Sequence, residues 1–481
     1  MNRDKSISAA DSTIPLWVLL ISLTCAGCAT PPRQNVPTFD QVSSFSASGK
    51  TALSSPWWTA FDDAQLNQYI EQALQNNFTL ASVWERLRAA RAVADVQASD
   101  LYPDLDGRIQ GSAADGEESD RPEQLQLSLE ASYEVDLWGE IRSRVRAEEF
   151  RAEAAYADYQ TAALTLSAEL ARVWFQFIES TNQLELLQRQ IETNQTILDL
   201  LIARFGAGQV RRADILRQQQ LLESTKEQAI ATRSQIEVLS HRLAVLQGRP
   251  PQAEIQLPEK ELPDLPPLPS TGLPADLVRR RPDVRQAYAL LQAADQEVAA
   301  AISNQYPRLT ITSSLSSAQD SAANLFSNWL ASIAGDLIAP LYDAQERAAR
   351  VDQSQALRQE RVWLYQQRVV EAFEEVENAL TREEKQAERL ESIQEQLVLA
   401  RQTYAQLQQE YYNGAEDYIG VLTALSDQQR LERQMILARL NLVEFRIALY
   451  RALAGVIETN REEAHSETSA TETRGVRDGR S

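Results

Sequence analysis

Few residues in this chain have side chains suited to covalent or metal chemistry. The 481 residues include two cysteines, Cys25 and Cys28, and two histidines, His241 and His465. Zinc clusters, haem attachment and thiol catalysis need more ligands, or ligands at other spacings. Glycine-rich phosphate loops and GxSxG turns are also missing from the sequence. We therefore expect no enzyme, no cofactor and no bound metal, although a site made of carboxylates alone stays open.

The composition is that of a folded and acidic protein. Charged residues make up 24% of the chain and hydrophobic residues 43%, which is ordinary for globular domains. The formal net charge is −21. Because surplus carboxylates repel phosphate backbones, we expect no nucleic-acid partner. The length allows two or three ordinary domains or one large elongated domain.

The two cysteines end the only strongly apolar stretch near the N-terminus. Arg3 and Lys5 precede the run IPLWVLLISLTCAG, which is too short to span a bilayer comfortably and is typical of an export signal. The tripeptide AGC at 26–28 resembles the cleavage box of bacterial lipoproteins. We therefore predict a signal peptide at 1–27 and a lipid on Cys28. A plain cleaved signal and a disulfide between the neighbouring cysteines remain alternatives.

The second half of the chain repeats the first, which is the most informative feature of the sequence. YPDLDGRIQGSAA, beginning at Tyr102, returns as YPRLTITSSLSSA at Tyr306, 204 residues later. RFGAGQVRRADIL from Arg204 returns as YYNGAEDYIGVL, which places Gly208 on Gly414. Each half therefore predicts helix, strand, loop, strand, very long helix, glycine turn and helix.

These repeats divide the chain into segments. We predict an N-terminal anchor segment at 28–65, repeats at 66–248 and 275–457, a proline-rich linker at 249–274, and a disordered polar tail at 458–481. The glycine turns of the two repeats are expected at about 205–210 and 412–416.

Each repeat contains a helix too long for a compact domain. No glycine or proline occurs between Glu140 and Phe205, and about 65 helical residues reach about 100 Å. Apolar residues step by four and three along this segment, broken only at Ser180 and Asn194. A similar stripe at 362–411 is broken at Glu383 and Gln386. This periodicity favours a coiled coil over a long helix in an ordinary bundle.

The neighbouring helices, at about 66–100 and 210–247, are each about half as long. Two of them stacked end to end would match one long helix. We therefore expect a long helix beside a stacked pair, formed twice in each chain.

Four segments between the helices predict strands, at 102–114, 123–138, 306–318 and 328–342. The second alternates apolar and polar residues from Gln124 to Val135. Each segment reaches about 40 Å, enough to cross a bilayer when tilted. A water-soluble sheet with one wet face gives the same alternation, but the export signal and the long helices favour a membrane. Four strands cannot close a barrel, so several chains must share one, and three chains would supply twelve strands.

Three motifs add a family resemblance to this pattern. They are PWWTAFDDAQLNQYIEQALQNNFTL at 56–80, YEVDLWGEIR at 133–142 and GLPADLVRRRPDVRQA at 272–287. Together with the duplication, they make residues 28 to about 456 resemble TolC-like outer-membrane efflux proteins of the lipoprotein (NodT/OprM-type) branch. The resemblance implies a mainly α fold with a β-barrel. A homotrimer would form one 12-stranded barrel and a long coiled-coil periplasmic tunnel.

The same resemblance implies an outer-membrane exit duct of a tripartite efflux pump. The duct would dock onto a periplasmic adaptor and an inner-membrane pump of the RND or ABC type, and would pass small molecules outward. It would be lipid-anchored in the bacterial outer membrane with a large periplasmic portion. The outer-membrane channel of a type I protein secretion system stays an alternative. A coiled-coil lipoprotein that tethers the outer membrane, which belongs to a different functional class, is a further alternative.

The resemblance also implies roles for the two glycine turns at the periplasmic tip. Adaptor contacts are expected at Arg204, Gly206, Ala207, Gly208, Asn413, Gly414 and Ala415. Candidates for the periplasmic gate and its selectivity are Asp214, Arg211, Arg212, Tyr412, Glu416, Asp417, Ile419 and Thr423. Gly420 and Thr423 stand where family members usually carry acids, so Glu416 and Asp417 are the proposed replacements.

Two further motifs are predicted to be structural. Pro282 of RRRPDV suits the first turn of a helix, and the arginines before it are expected to pack in the central collar of the tunnel. Trp57 and Trp58 are expected to anchor the N-terminal segment by packing.

Overall fold

The computed structural model describes residues 44–113, 123–255, 261–457 and residue 459. The predicted signal peptide, Cys28 and the start of the N-terminal segment lie outside the described residues. So do the loop between the first two strands and nearly all of the predicted tail. The described residues are mainly helical, with one four-stranded sheet.

The order helix, helix, strand, strand, long helix, helix occurs twice along the described chain. The first set is α1 (Ala64–Asn76), α2 (Phe78–Ser99), β1 (Asp104–Ala113), β2 (Glu123–Val135), α3 (Glu140–Gly206) and α4 (Arg212–Leu246). The second set is α5 (Pro274–Arg280), α6 (Pro282–Ser303), β3 (Arg308–Gln319), β4 (Leu330–Ile338), α7 (Glu346–Tyr412) and α8 (Tyr418–Leu453). The long helices α3 and α7 contain 67 residues each, whereas α4 contains 35 and α8 contains 36.

The chain forms two compact units, each assembled from separate stretches of sequence. The first comprises described residues of Ala89–Ala152 and Ala289–Trp363, and it contains the sheet. The second comprises described residues of Thr38–Arg88, Glu153–Tyr288 and Leu364–Ser481. No helix of the described chain has both the length and the apolar run needed to cross a membrane.

In the first unit, the strands form an antiparallel sheet in the order β1-β2-β3-β4. Directly paired residues of such a sheet lie on the same face. The pairs Ile109–Leu127, Leu129–Leu315, Tyr133–Ile311 and Leu309–Leu337 therefore share one apolar face. The pairs Asp106–Glu130, Ser132–Thr312 and Ser314–Ser332 lie on the opposite, polar face. The alternation predicted for β2 thus recurs in the other strands, although Leu330 and Ile338 of β4 lie on the polar face and Ser313, Ser317 and Gln319 of β3 lie on the apolar face.

The core of the second unit contains the aromatic residues of the N-terminal segment. Trp57 and Trp58 are each 2% exposed. The indole Nε1 of Trp57 donates a hydrogen bond to Ser167 on α3, at 3.2 Å. Asp63 caps the start of α1 and accepts a hydrogen bond from Trp174 Nε1 at 3.0 Å. The prediction that these tryptophans anchor the segment by packing is confirmed.

The single helix predicted at about 66–100 is wrong, because Asn77 divides it into α1 and α2. The Asn77 side chain accepts a hydrogen bond from the backbone N–H of Leu80 at 2.9 Å, which starts a new helix. It also donates to the carbonyl of Leu246 at 2.9 Å, so the end of α4 meets this junction.

The corresponding junction in the second half lies between α5 and α6. Here Arg281 Nη1 donates to the carbonyl of Ala452 near the end of α8, at 3.2 Å. Pro282 is the first residue of α6, as predicted. Of the three arginines in the motif, Arg281 is buried, whereas Arg279 remains exposed.

Arg281 also holds a buried group of charges together. Its guanidinium lies 2.6 Å from Asp283 and 2.7 Å from Glu375, and Arg368 contacts Asp283 as well. Burial raises the pKa of Asp283, but the hydrogen bonds and charges of Arg281 and Arg368 outweigh it. The pKa of this carboxyl therefore lies below its ordinary value.

Candidate functional site

The two hairpin turns, where α3 meets α4 and α7 meets α8, share one backbone geometry. The N–H groups of Gly208 and Gln209 bond to the carbonyls of Phe205 and Arg204, at 2.9 and 3.0 Å. The N–H groups of Gly414 and Ala415 bond to Tyr411 and Glu410, at 3.1 and 2.9 Å. Both patterns are the Schellman ending of a helix.

A positive φ angle requires glycine at the same position of each turn. The φ of Gly208 is 72° and that of Gly414 is 79°. A Cβ atom at either position would meet nothing within 4 Å. The requirement is therefore conformational rather than steric, because residues with a Cβ rarely adopt this backbone region.

A buried carboxylate supports the first turn. Asp214 is 2% exposed and accepts a hydrogen bond from the backbone N–H of Arg211 at 3.3 Å. Its two oxygens also face the guanidinium groups of Arg211, at 3.1 Å, and Arg217, at 3.3 Å. The acid raises the pKa of Arg211 first by this hydrogen bond and then by its charge, and Asp417 adds to the effect. The start of α4 is therefore capped by a paired acid.

The second turn has no comparable cap. Asp417 occupies the N-cap position of α8, but its side chain makes no capping hydrogen bond, and 72% of it is exposed. Glu416 makes no ion pair among the described residues, and its carboxylate folds over Gly420. A Cβ atom on Gly420 would lie 2.4 Å from Glu416 Oε1. A carboxylate from the turn thus fills the space beside Gly420.

An ion pair and two cation–π contacts join the two turns. Arg211 Nη2 lies 3.5 Å from Asp417 Oδ2. The guanidinium of Arg204 lies 5.3 Å from the ring centre of Tyr411 and 5.5 Å from that of Tyr412, within the range of cation–π contacts.

An apolar cluster lies beside these polar contacts. Leu201, Tyr418 and Val421 form its buried part, and Tyr411 packs against them. The Tyr411 and Tyr418 rings meet edge to face at 5.7 Å. Burial raises the pKa of Tyr418, so its hydroxyl group stays protonated and donates a hydrogen bond.

The structure brings nearly all predicted site residues to these turns, but with different exposure. The residues predicted to contact an adaptor are exposed, except for the half-buried Arg204. Among the gate candidates, Arg211, Arg212, Tyr412, Asp417, Ile419 and Thr423 are exposed, Glu416 is half-buried and Asp214 is buried. Arg212 makes no ion pair among the described residues, whereas Arg211 pairs with Asp417 of the neighbouring turn.

Sequence reasoning missed a buried polar group deeper in the helices. Asn194, Gln218, Thr225, Tyr418 and Gln429 are each at most 4% exposed and connect by hydrogen bonds. We call these five residues the amide layer. One signal pointed to it, because Asn194 is one of the two breaks in the apolar stripe of α3.

Comparison with known proteins assigns the family. A model of the family described as Outer membrane efflux protein matches residues 69–249 and 273–455. These ranges span well over half of the sequence, so the chain belongs to the outer membrane efflux protein family. Its members are channel or transport proteins of the outer membrane, and this chain is an exit duct of that kind.

Two curated relatives match most of the chain. The pyoverdine export outer membrane protein OpmQ of Pseudomonas aeruginosa is 28% identical over 432 residues, covering 86% of this chain and 91% of that protein. The cation efflux system protein CusC of Escherichia coli is 25% identical over 469 residues, covering 92% of this chain and 99% of that protein.

Solved structures share the fold. The outer-membrane channel OprN superposes with a TM-score of 0.81 at 29% identity, covering 88% of this chain and 98% of that chain. The open state of the MtrE outer membrane channel of Neisseria gonorrhoeae gives a TM-score of 0.81 at 24% identity. That superposition covers 89% of this chain and 98% of that chain. The helical hairpins and the four-stranded sheet therefore form the TolC-like channel fold.

Proposed function

We propose that three copies of this chain form one efflux channel, with a shared 12-stranded barrel in the outer membrane and helices that line a periplasmic tunnel. The observation that carries this proposal is the sheet of the first unit. One of its faces carries most of the apolar side chains of the four strands, and the other carries most of the polar ones. An apolar face suits lipid, and a polar face suits a water-filled lumen.

The edges of the sheet support sharing between chains. β1 and β4 are the outer strands, so each has a backbone edge without a partner within the chain. All residues of β4 are exposed, including Leu330, Ile333 and Leu337. Unpaired N–H and C=O groups are too costly to face lipid. Since the strands alternate in direction, β4 of one copy is antiparallel to β1 of the next, and a ring of copies closes without a mismatch.

The hairpin turns are the proposed docking site for a periplasmic adaptor, which joins the channel to an inner-membrane pump. Gly208 and Gly414 let both long helices reverse there, and the turn residues around them are exposed. Relatives are named for the export of pyoverdine and of cations. We therefore propose small molecules or ions, rather than folded proteins, as the cargo of this channel.

The aperture between the turns is the proposed gate. The enclosure of Asp214 supports a structural role in the first turn, since both of its oxygens are occupied by arginines. Glu416 is the better candidate for the carboxylate that selects cations, because it has no partner charge among the described residues. Tyr412, Ile419 and Thr423 add exposed aromatic, apolar and hydroxyl groups to the same tip.

We further propose that a lipid on Cys28 anchors the N-terminus in the outer membrane and that the two repeats arose by duplication. The helix junctions support the duplication. Asn77 and Arg281 lie 204 residues apart, as Tyr102 and Tyr306 do, and each donates to a carbonyl near the end of a hairpin helix.

The mass of the intact complex, extracted from membranes in mild detergent, tests these proposals. Three chains, each beginning at Cys28 and heavier by a lipid, are the expected result. A trimer without lipid would retain the channel and remove the anchor. A monomer would overturn the shared barrel and favour the tethering lipoprotein.

A further inference from the structure

Two of the four breaks in the apolar stripes of the long helices are amide contacts to α8. Asn194 of α3 interrupts the first stripe and contacts Gln429 of α8. Gln386 of α7 interrupts the second stripe and donates to the carbonyl of Ala438 on α8, at 2.8 Å. A polar residue in an otherwise apolar coiled-coil seam fixes the axial register of its partner helix.

The contact between Asn194 and Gln429 is reciprocal. Asn194 Nδ2 lies 3.3 Å from Gln429 Oε1, and Gln429 Nε2 lies 3.1 Å from Asn194 Oδ1. Both residues are almost completely buried, with 0% and 3% exposure. Each amide therefore satisfies the other without water.

The remaining residues of the amide layer connect this pair to α4 and to the start of α8. Tyr418 donates its hydroxyl to Gln218 Oε1 at 2.6 Å, and Gln218 Nε2 donates to the backbone carbonyl of Asn194 at 2.9 Å. Asn194 also donates to Thr225 at 3.2 Å. The layer thus joins α3, α4 and the first half of α8, and none of its side-chain nitrogen or oxygen atoms lacks a partner.

The position of the layer relates it to the proposed gate. Asn194 precedes the end of α3 by twelve residues and Gln429 follows the start of α8 by eleven, so the pair lies about 17 Å from the turns. Tyr418 belongs both to the layer and to the apolar cluster at the tip. A displacement of the second turn that carries α8 with it must therefore separate these amides.

Separating these buried amides raises the free energy at intermediate positions of α8. Two discrete positions of the helix are therefore favoured. The amides are satisfied when α8 is in register, and they are buried without partners when it shifts slightly. They regain partners only when α8 moves far enough to admit water. We propose that the amide layer is a latch, whose five residues position the second turn and must part before the aperture conducts. This inference rests on the proposed channel function.

Single-channel recording of the full-length protein in planar lipid bilayers, without adaptor or pump, tests the latch. The variant Asn194→Leu leaves the Gln429 amide buried and unpaired, so we expect the fraction of time spent conducting to rise about tenfold. Gln429→Met should act in the same direction. The double variant Asn194→Leu/Gln429→Met replaces the pair by apolar groups and should return to within about twofold of the unmodified channel.

Two further variants keep the test decisive. Tyr418→Phe removes one hydroxyl and keeps the ring in its cluster, so it should fold and raise conduction about threefold. Gln386→Leu is the matched control, because it removes a buried amide contact to the same helix at about 39 Å from the end of α7. It should lower stability without raising conduction.

Two results would overturn the latch while the channel stands. One is a trimer of the expected mass in which the layer variants conduct like the unmodified protein. The other is Gln386→Leu raising conduction as much as Asn194→Leu, since general loosening would then explain the effect. A monomer in the same preparation would instead show that the channel proposal itself has failed, and the latch with it.

Discussion

The two hairpin turns have the same backbone but differ in how their charged residues are held. In the first turn, the carboxylate of Asp214 is enclosed and paired with two arginines. In the second, Asp417 is exposed and Glu416 makes no ion pair among the described residues. The geometry that reverses the helix is therefore independent of the charges that stabilise it.

From this difference we infer that the second turn is more mobile than the first. Capping hydrogen bonds and enclosed ion pairs stabilise the first turn of α4, whereas exposed pairs contribute little. The second turn depends on contacts with its neighbour, through Arg204, Arg211 and Tyr418. We expect the first turn to act as a support and the second as the moving part.

The largest predicted loss of stability comes from a substitution in the buried group of charges around Asp283. Asp283→Asn removes one of the two acids that pair with the buried Arg281, and because Glu375 remains it should cost about 3 kcal/mol, the lower end for a broken buried pair. Because the pKa of Asp283 is lowered in the fold, its contribution is present above the ordinary aspartate pKa and is lost as the pH falls through the lowered value. Thermal unfolding in detergent should show a large deficit at pH 7 that narrows as the pH falls below the ordinary aspartate pKa.

Asp214→Ala tests the enclosed side of the comparison directly. It removes the cap and two ion pairs, but Arg211 and Arg217 can turn to solvent, so we expect a cost of about 2 kcal/mol. Amide hydrogen exchange at the start of α4 should then rise about thirtyfold. Asp417→Ala is the matched control and should change exchange at the start of α8 less than about fivefold. Equal effects would end the distinction between the turns.

The glycines test what the turns have in common. Gly208→Ala and Gly414→Ala each force a Cβ into the left-handed region, and the space around both is empty. We expect each to cost about 1–2 kcal/mol, by the same amount within error. Denaturant unfolding measures both, and Gly→Asn at either position should restore part of the loss. Unequal costs would mean that the turns differ in their backbones after all.

Arg204→Gln tests the contact between the turns. The variant removes the cation above Tyr411 and Tyr412 but keeps much of the side-chain length, so we expect a loss of about 0.5–1 kcal/mol. Hydrogen exchange should rise in the second turn and stay unchanged at the capped start of α4. Arg212→Gln, which removes an exposed arginine without an ion pair among the described residues, is the control. A change confined to the first turn would contradict the assigned mobility.

Elements with strong local patterns were predicted well from the sequence. The long helices extend over 140–206 and 346–412 because their apolar stripes continue without glycine or proline. The four strands were found as well, with bounds that differ from the predicted ones by at most four residues. The break at Asn77 was missed, because an asparagine within an apolar pattern becomes a cap only when a partner accepts its amide.

The sequence alone determined the helical hairpins, the alternating strands and the glycine turns, because each follows from residues close together along the chain. Only the tertiary structure decided which polar residues are enclosed. Asp214 and Asp417 are both acids at the start of a helix, yet one is buried and the other exposed. In the sequence, Asn194 only interrupts an apolar stripe. In the fold, Gln429, 235 residues away, completes its hydrogen bonds. Burial and pairing depend on which helices meet, and no local pattern contains that information.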